Sequence, residues 1–513
     1  MARAAAAAAL LALALSGLAA AIPSAPLNFT QRVDHFSENV ATFDQRYYMN
    51  ASSFGGPGFP IICILGGEGA IPPTTGIYYP SVVALAARLK ALVIEPEHRF
   101  FGTSNPTAPY DTQRLQLLNV QQALADAAAF ITAMRHQFGC SGTNGEPRCP
   151  VVTVGGSYPG WLSFAMRLRY PAVVDIAYAG SAPVRFYSEE VGQYDYYRVV
   201  TASAARANAS CPDAVRAMLG ATIGAPGVTK AEIVAGLNMC APLPQYMQDG
   251  DTQLLVDEVS MVASYTFANL NMGNYPPTQA TGLARACAAI VAGAASAPWP
   301  TLATFLSTYT SAFGGAARSR RGGAPFVPEP EPEAEAASVS RGAACYDIST
   351  QIPSGVNGTI SCGDWSGCGT GGDGASWDFE TCTHLVQQIG MSGVTDMMLP
   401  REWTFDWMNA HCASRFGGLV PRPYELAELW GLATERLPAV TSRVIFTNGL
   451  NDGWSAGGIL VNLSSTLLAF NAPNGAHHSD LSHLWPDDVQ NTPDVTAMQQ
   501  SVAATIEAWL AEL

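Results

Sequence analysis

The chain has 513 residues, 48% hydrophobic and 13% charged, enough apolar material for a large folded core and too much for a disordered chain. Lys and Arg number 26 against 41 Asp and Glu, a formal charge of −15, which repels a polyanion over most of the surface and excludes a nucleic-acid partner. The same acidity is compatible with an acidic compartment, because carboxylates lose their mutual repulsion as the pH falls toward about 4.

Residues 1–21 carry one charge, Arg3, then an Ala/Leu run ending in Ala19-Ala20-Ala21, and read as a cleaved secretory signal peptide. No later stretch is long and apolar enough to span a bilayer, so a soluble mature protein without membrane insertion is expected. Five acceptor sequons, at Asn28, Asn50, Asn208, Asn357 and Asn462, fit passage through a glycosylating lumen. The 11 cysteines cluster after Cys140, which in an oxidising compartment allows five disulfides and one free thiol. Cys63, inside the apolar run Ile61 to Leu65, is the expected free one. The Cys362-x5-Cys368 spacing lacks the close pairing and nearby histidines of a zinc knuckle, so neither metal nor cofactor is expected.

Along the chain, short β-branched runs end in turns: Ile61 to Leu65 before Gly66-Gly67-Glu68-Gly69, Ala91 to Glu95 before Pro96-Glu97-His98-Arg99, and Val151 to Val154 before Gly155-Gly156-Ser157. Helical spacing intervenes over Leu117 to Arg135 and resumes over Trp161 to Tyr170, with a further strand near Asp175 to Pro183. Alternation of strand and helix predicts a parallel, doubly wound sheet. From Val191 to Ala439 the sequence becomes helical, Cys-bearing and loop-rich, and strands return only at Val444 to Thr447 and Leu467 to Phe470. The expected organisation is a core over 22–190 and 440–513, interrupted by a helical cap over 191–439. Within the cap, 314–344 is too rich in Pro and Glu to fold alone and reads as a flexible loop. Thr492-Pro493 starts a closing amphipathic helix.

Gly155-Gly156-Ser157-Tyr158-Pro159-Gly160 sits between a strand and a helix, where a sharp turn projects a serine hydroxyl clear of the sheet. Pro159 breaks the usual G-x-S-x-G spacing, yet proline is tolerated in a first helical turn and leaves the Tyr158 amide free. Asp452 follows the strand at Val444, and the His477-His478 pair follows the strand at Leu467. Serine, then aspartate, then histidine, each after a strand, is the order of the α/β-hydrolase fold. In that arrangement Ser157 attacks a carbonyl, a histidine takes its proton, and Asp452 sets the histidine tautomer.

These motifs resemble the serine peptidase family of lysosomal Pro-Xaa carboxypeptidase, dipeptidyl peptidase II and thymus-specific serine protease. The resemblance runs from Phe29-Thr-Gln-Arg-Val-Asp-His-Phe36 through Gly66 to Gly69, Glu97 to Gly102 and the serine turn. It continues over Trp377 to Cys382, Pro421 to Pro423, Asn448 to Trp454 and Gly475 to His478. It implies a proline-directed exopeptidase with Ser157 as nucleophile, Asp452 as acid and His477 as base, His478 being the alternative. It also implies an oxyanion hole from the amides of Tyr158 and the Gly66 to Gly69 loop, assigned to Gly67, and a Cys382–Cys412 disulfide. Trp161 and Trp454 fall where the family lines its proline pocket, peptides containing proline are the implied partners, and a homodimer and an extracellular, lysosomal or vacuolar location are implied with them. Competing expectations are an esterase or lipase on the same fold, and a non-catalytic binding protein.

Overall fold

The computed structural model describes residues 25–72, 76–77, 79–106, 114–310, 345–348, 371–416, 422–482 and 491–513. The expected signal peptide, the loop at 314–344, Asn357, Cys362 and Cys368 lie outside them.

Eight strands make one sheet: β1 (Leu27–Arg32), β2 (Thr42–Asn50), β3 (Ile61–Ile64), β4 (Leu92–Pro96), β5 (Val151–Gly156), β6 (Ile176–Gly180), β7 (Val444–Gly449) and β8 (Leu467–Ala472). Their spatial order is β1-β2-β4-β3-β5-β6-β7-β8. The strands read from the sequence are parallel as expected, from β4 across to β8, and the sheet is mixed because β2, which no sequence pattern marks, pairs antiparallel with both β1 and β4. The parallel strands are covered on both faces, so β3, β4, β5 and β6 are buried at every position and read as continuous apolar runs. Along them, alternate residues feed two cores. Ile61, Cys63, Leu92, Ile94 and Val151 pack with α2 (Val120–Gln137) and α3 (Tyr158–Arg169). Ile62, Ile64, Val93, Val152 and Val154 pack with α1 (Pro80–Leu89) and the closing helix α10 (Pro493–Ala511).

Between β6 and β7 lie the helices α4 (Asp195–Ala207), α5 (Cys211–Gly220), α6 (Thr252–Met272), α7 (Gly282–Gly293), α8 (Gly371–Thr383) and α9 (Phe405–Phe416), with shorter helical turns among them. Disulfides brace this insertion: Cys211–Cys287 joins α5 to α7, Cys240–Cys345 closes a long loop, and Cys382–Cys412 joins α8 to α9. Cys140–Cys149 staples the turn before β5, and Cys63 is free and buried, as expected. No helix among the described residues is long and apolar enough to cross a membrane.

The Glu97-His98-Arg99 motif after β4 holds the sheet ends together, and all three side chains are buried. Glu97 is ion-paired to Arg46 and accepts from the amides of Ile71, Thr103 and Ser104. Arg99 forms a two-pronged pair with Asp126 of α2, at 2.6 and 2.7 Å, and donates to the carbonyls of Arg32, Val33 and Leu117. His98 turns the other way, toward the serine turn.

Candidate active site

At the end of β5 the chain reverses into α3 through Ser157, whose backbone lies at φ 64°, ψ −131°, a conformation that L-residues adopt only under constraint. The constraint is visible in its glycines. A Cβ on Gly155 would lie 2.2 Å from the Pro159 carbonyl oxygen, and one on Gly160 would lie 2.5 Å from the Gly180 carbonyl oxygen on β6. The glycine that Pro159 displaces is thus recovered one residue later, where α3 crosses β6. On Gly156 a Cβ would meet the His478 ring at 2.7 Å, so the histidine loop seats directly on the turn. Replacing Gly155 with alanine is expected to destabilise the fold by about 1–3 kcal/mol through overpacking against backbone. It should also lower the rate of Ser157 labelling by a fluorophosphonate, read beside a denaturant titration.

The Gly66 to Gly69 loop after β3 packs against the same turn. Gly66 approaches the Pro96 carbonyl and the His98 amide, where a Cβ would sit at 2.5 and 2.7 Å, and Gly67 lies over Pro159, where a Cβ would meet the ring at 2.5 Å. As the first residue of α3, Tyr158 keeps its N–H outside the helix's own hydrogen bonds. Two loops with open backbone therefore flank Ser157.

Asp452 follows β7, is fully buried, and accepts two hydrogen bonds: from the Trp454 amide at 3.1 Å and from His477 Nδ1 at 2.6 Å. With a carboxylate on one ring nitrogen, His477 carries its proton there and leaves Nε2 as a base. Among the described residues no hydrogen bond joins Ser157 Oγ to His477, an interaction that in enzyme sites often tightens only with substrate. His478 is differently employed. Its amide donates to Ser181 Oγ at 2.8 Å, its Nδ1 lies 3.1 Å from Ser482 Oγ, and burial, with His477 beside it, pushes its ring well below the usual histidine range. Asp480 anchors the loop, accepting from Tyr178 and Thr447 on the neighbouring strands; burial raises its carboxyl.

Some contributors were invisible in the sequence. Asn271, at the end of α6, is wholly buried; its Oδ1 accepts from the Gly453 amide at 2.8 Å and its amide donates to the Asn451 carbonyl. The next residue, Met272, accepts from the His477 amide at 3.3 Å. One helix end from the insertion thus holds both the aspartate and the histidine loops. Tyr196 of α4 covers Gly453, where a Cβ would meet its ring at 2.7 Å, which explains glycine there. Burial raises the carboxyl of Glu68, in the glycine loop, while His477 opposes that shift. No local pattern marks any of these as partners; only long-range packing does.

Trp454 lies edge-on to Phe186 and Tyr196, with its ring 6.4 Å from that of His477. Trp161 is wholly buried on α3, stacked on Trp430 and edge-on to Tyr187. Asn28 and Asn462 are exposed, while Asn50 and Asn208 are half-buried. Among the described residues one cluster has a metal-like composition, Asp378, Cys382 and His411, but Cys382 is consumed by its disulfide and His411 bonds Asp378 at 3.0 Å.

A sheet in this order, with its second strand reversed and a strained serine between the fifth strand and the following helix, defines an α/β-hydrolase. The chain belongs to the serine carboxypeptidase S28 family, matched over residues 31–310, and is a serine peptidase. It is similar to lysosomal Pro-X carboxypeptidase of Pongo abelii, 28% identical over 467 residues, covering 89% of this chain and 82% of that protein. The same enzyme of Homo sapiens is 27% identical with the same coverage. Prolyl carboxy peptidase like protein 5 of Caenorhabditis elegans is 26% identical over 510 residues, covering 94% and 89%.

Proposed function

We propose that this chain is an exopeptidase that cleaves next to proline through Ser157, His477 and Asp452. The observation that carries the reading is the His477–Asp452 hydrogen bond, formed between loops at the ends of β7 and β8 beside the serine turn at the end of β5. Ser157 Oγ attacks the scissile carbonyl while His477 Nε2 takes its proton, then returns it to the leaving amine; water hydrolyses the acyl-enzyme by the same route. The amides of Tyr158 and Gly67 receive the oxyanion. Trp454, held edge-on by Phe186 and Tyr196, offers the rigid apolar wall that suits a proline ring, Trp161 is the second aromatic of that pocket, and the helices of 191–439 act as a cap. The disulfides and the lysosomal names of the relatives support a secretory route, with glycans on the exposed sequons.

The names of the full-length relatives favour release of a C-terminal residue that follows proline. Two peptides, one with proline second from the C-terminus and one with proline second from the N-terminus, are incubated at mildly acidic pH with the parent and with Ser157→Ala. Mass spectrometry is expected to show loss of the last residue from the first peptide, in the parent alone. Release of an Xaa-Pro dipeptide from the second would reassign the mode, and cleavage of neither would overturn the proline specificity.

A further inference from the structure

Behind the serine turn, three buried side chains from three elements form a line. Tyr158 Oη lies 2.9 Å from Glu380 Oε1 on α8 and 3.0 Å from His98 Nε2, and His98 Nδ1 lies 2.8 Å from the Arg99 carbonyl oxygen. Counting protons along this line leaves little freedom. The Arg99 carbonyl only accepts, so His98 carries hydrogen on Nδ1, and in a neutral ring Nε2 then accepts. With His98 neutral, the single Tyr158 hydrogen can go to Glu380 Oε1, which leaves Nε2 facing a bare oxygen, or to Nε2, which turns the tyrosine oxygen toward Glu380 as an acceptor. Two acceptors at 2.9 Å repel unless the Glu380 carboxyl carries a proton and donates it.

The surroundings of Glu380 favour the protonated acid. Glu380 is 1% exposed, and its Oε2 is buried with no hydrogen-bond partner among the described residues, a poor setting for a carboxylate. The groups facing it are Tyr158 of α3, Tyr187 after β6, Glu68 of the glycine loop and, through Tyr158, His98 with Arg99 and Asp126 behind it. Arg99 is already paired with Asp126. Arg415 and His411 of α9 are taken up by Asp378, two residues earlier and so on another face of α8.

We propose that Glu380 is a positioning residue: as a carboxylic acid it donates to Tyr158, which donates to His98, and this chain fixes the first residue of α3, whose amide receives the oxyanion. The inference rests on the assignment of Ser157 as nucleophile and Tyr158 as oxyanion donor. Ionisation of Glu380 draws the Tyr158 hydrogen to the carboxylate and leaves His98 Nε2 without a donor, so the bond that ties the serine turn to the segment after β4 is lost while the bond to α8 remains. Burial raises the Glu380 carboxyl to about 8, against the opposing pull of the Tyr158 hydrogen bond, and lowers the His98 ring to about 4, which is the neutral ring from which the proton count starts. The sign follows: a carboxyl raised in the fold is protonated there over a range where the unfolded chain is not, so its contribution to stability falls as pH rises from 4.5 to about 8.

The test measures the rate of fluorophosphonate inactivation against pH for the full-length parent, Glu380→Gln and Tyr158→Phe, with thermal unfolding of each. The parent rate is expected to fall about 5-fold or more above pH 8, whereas in Glu380→Gln, whose amide N–H still donates to Tyr158, the fall is absent. That variant should stay within about 3-fold of the parent near pH 6 and lose less thermal stability as pH rises. Tyr158→Phe keeps the ring against Trp377 but breaks the chain, and is expected to be slower at every pH and also without the alkaline fall. An unchanged alkaline fall in Glu380→Gln, or in Tyr158→Phe should the first variant not fold, overturns the proposal. A parent that is not phosphonylated at any pH overturns the assignment of Ser157 instead.

Discussion

Ser157→Ala is expected to lower kcat for a susceptible peptide by roughly ten-thousand-fold to a million-fold while leaving the protein folded. The size follows from the chemistry: without Oγ no acyl-enzyme forms, and the residual rate comes from binding and the oxyanion donors alone. The fold should be spared because the Ser157 side chain makes no cap hydrogen bond to α3 and joins no described partner, while its amide still donates to the Gly180 carbonyl at 2.8 Å. A shift in unfolding free energy within about 0.5 kcal/mol is the expected companion result. Retention of more than about a hundredth of the parent activity would move the nucleophile elsewhere.

Asp452→Asn is expected to cost about ten-thousand-fold in kcat, with little effect on the fold. The carboxylate accepts from His477 Nδ1 at 2.6 Å, which leaves Nε2 free to take a proton. An asparagine amide can present its own N–H to Nδ1 instead, which drives the histidine proton to Nε2, where it blocks the abstraction from Ser157. Because Asp452 Oδ1 also accepts from the Trp454 amide, a contact that the asparagine oxygen can keep, the loop should hold its shape. Substituting the two histidines separately completes the experiment. His477→Ala should match the loss in Asp452→Asn, whereas His478→Ala should lower the rate only through lost packing on Gly156. The reverse order would make His478 the base.

The placement of these residues shows what linear sequence can carry. The parallel strands were legible because burial on both faces leaves an unbroken apolar run such as Ile61 to Ile64, and the turn after each run announced itself in glycine. The order of Ser157, Asp452 and His477 was legible because each directly follows its strand. The antiparallel pair β1 and β2 was not. In Thr42–Asn50, polar residues such as Asp44 and Gln45 interrupt the pattern, and Gln45 is buried only because Gln31 and the Glu97 carbonyl satisfy its amide. Glycines were informative in kind and silent in cause. That Gly155 faces Pro159, Gly453 faces Tyr196 and Gly67 faces Pro159 are facts of packing between segments far apart in the chain or folded back on themselves.

By itself, then, the sequence determined the family, the fold class and, as candidates for the chemistry, Ser157, Asp452 and the His477-His478 pair, because strand, turn and candidate residue are neighbours along the chain. Tertiary structure decided which histidine meets Asp452, since His477 and His478 are adjacent and equivalent until the loop is seated by Ser181, Asp480 and the end of α6. It also decided the reversed second strand and the convergence of Glu380, Tyr158 and His98, whose separations of 222 and 60 residues leave no local trace. The physical reason is the same in each case: a hydrogen bond or a close approach is a relation between two surfaces, and a residue's own neighbours along the chain carry information about only one of them.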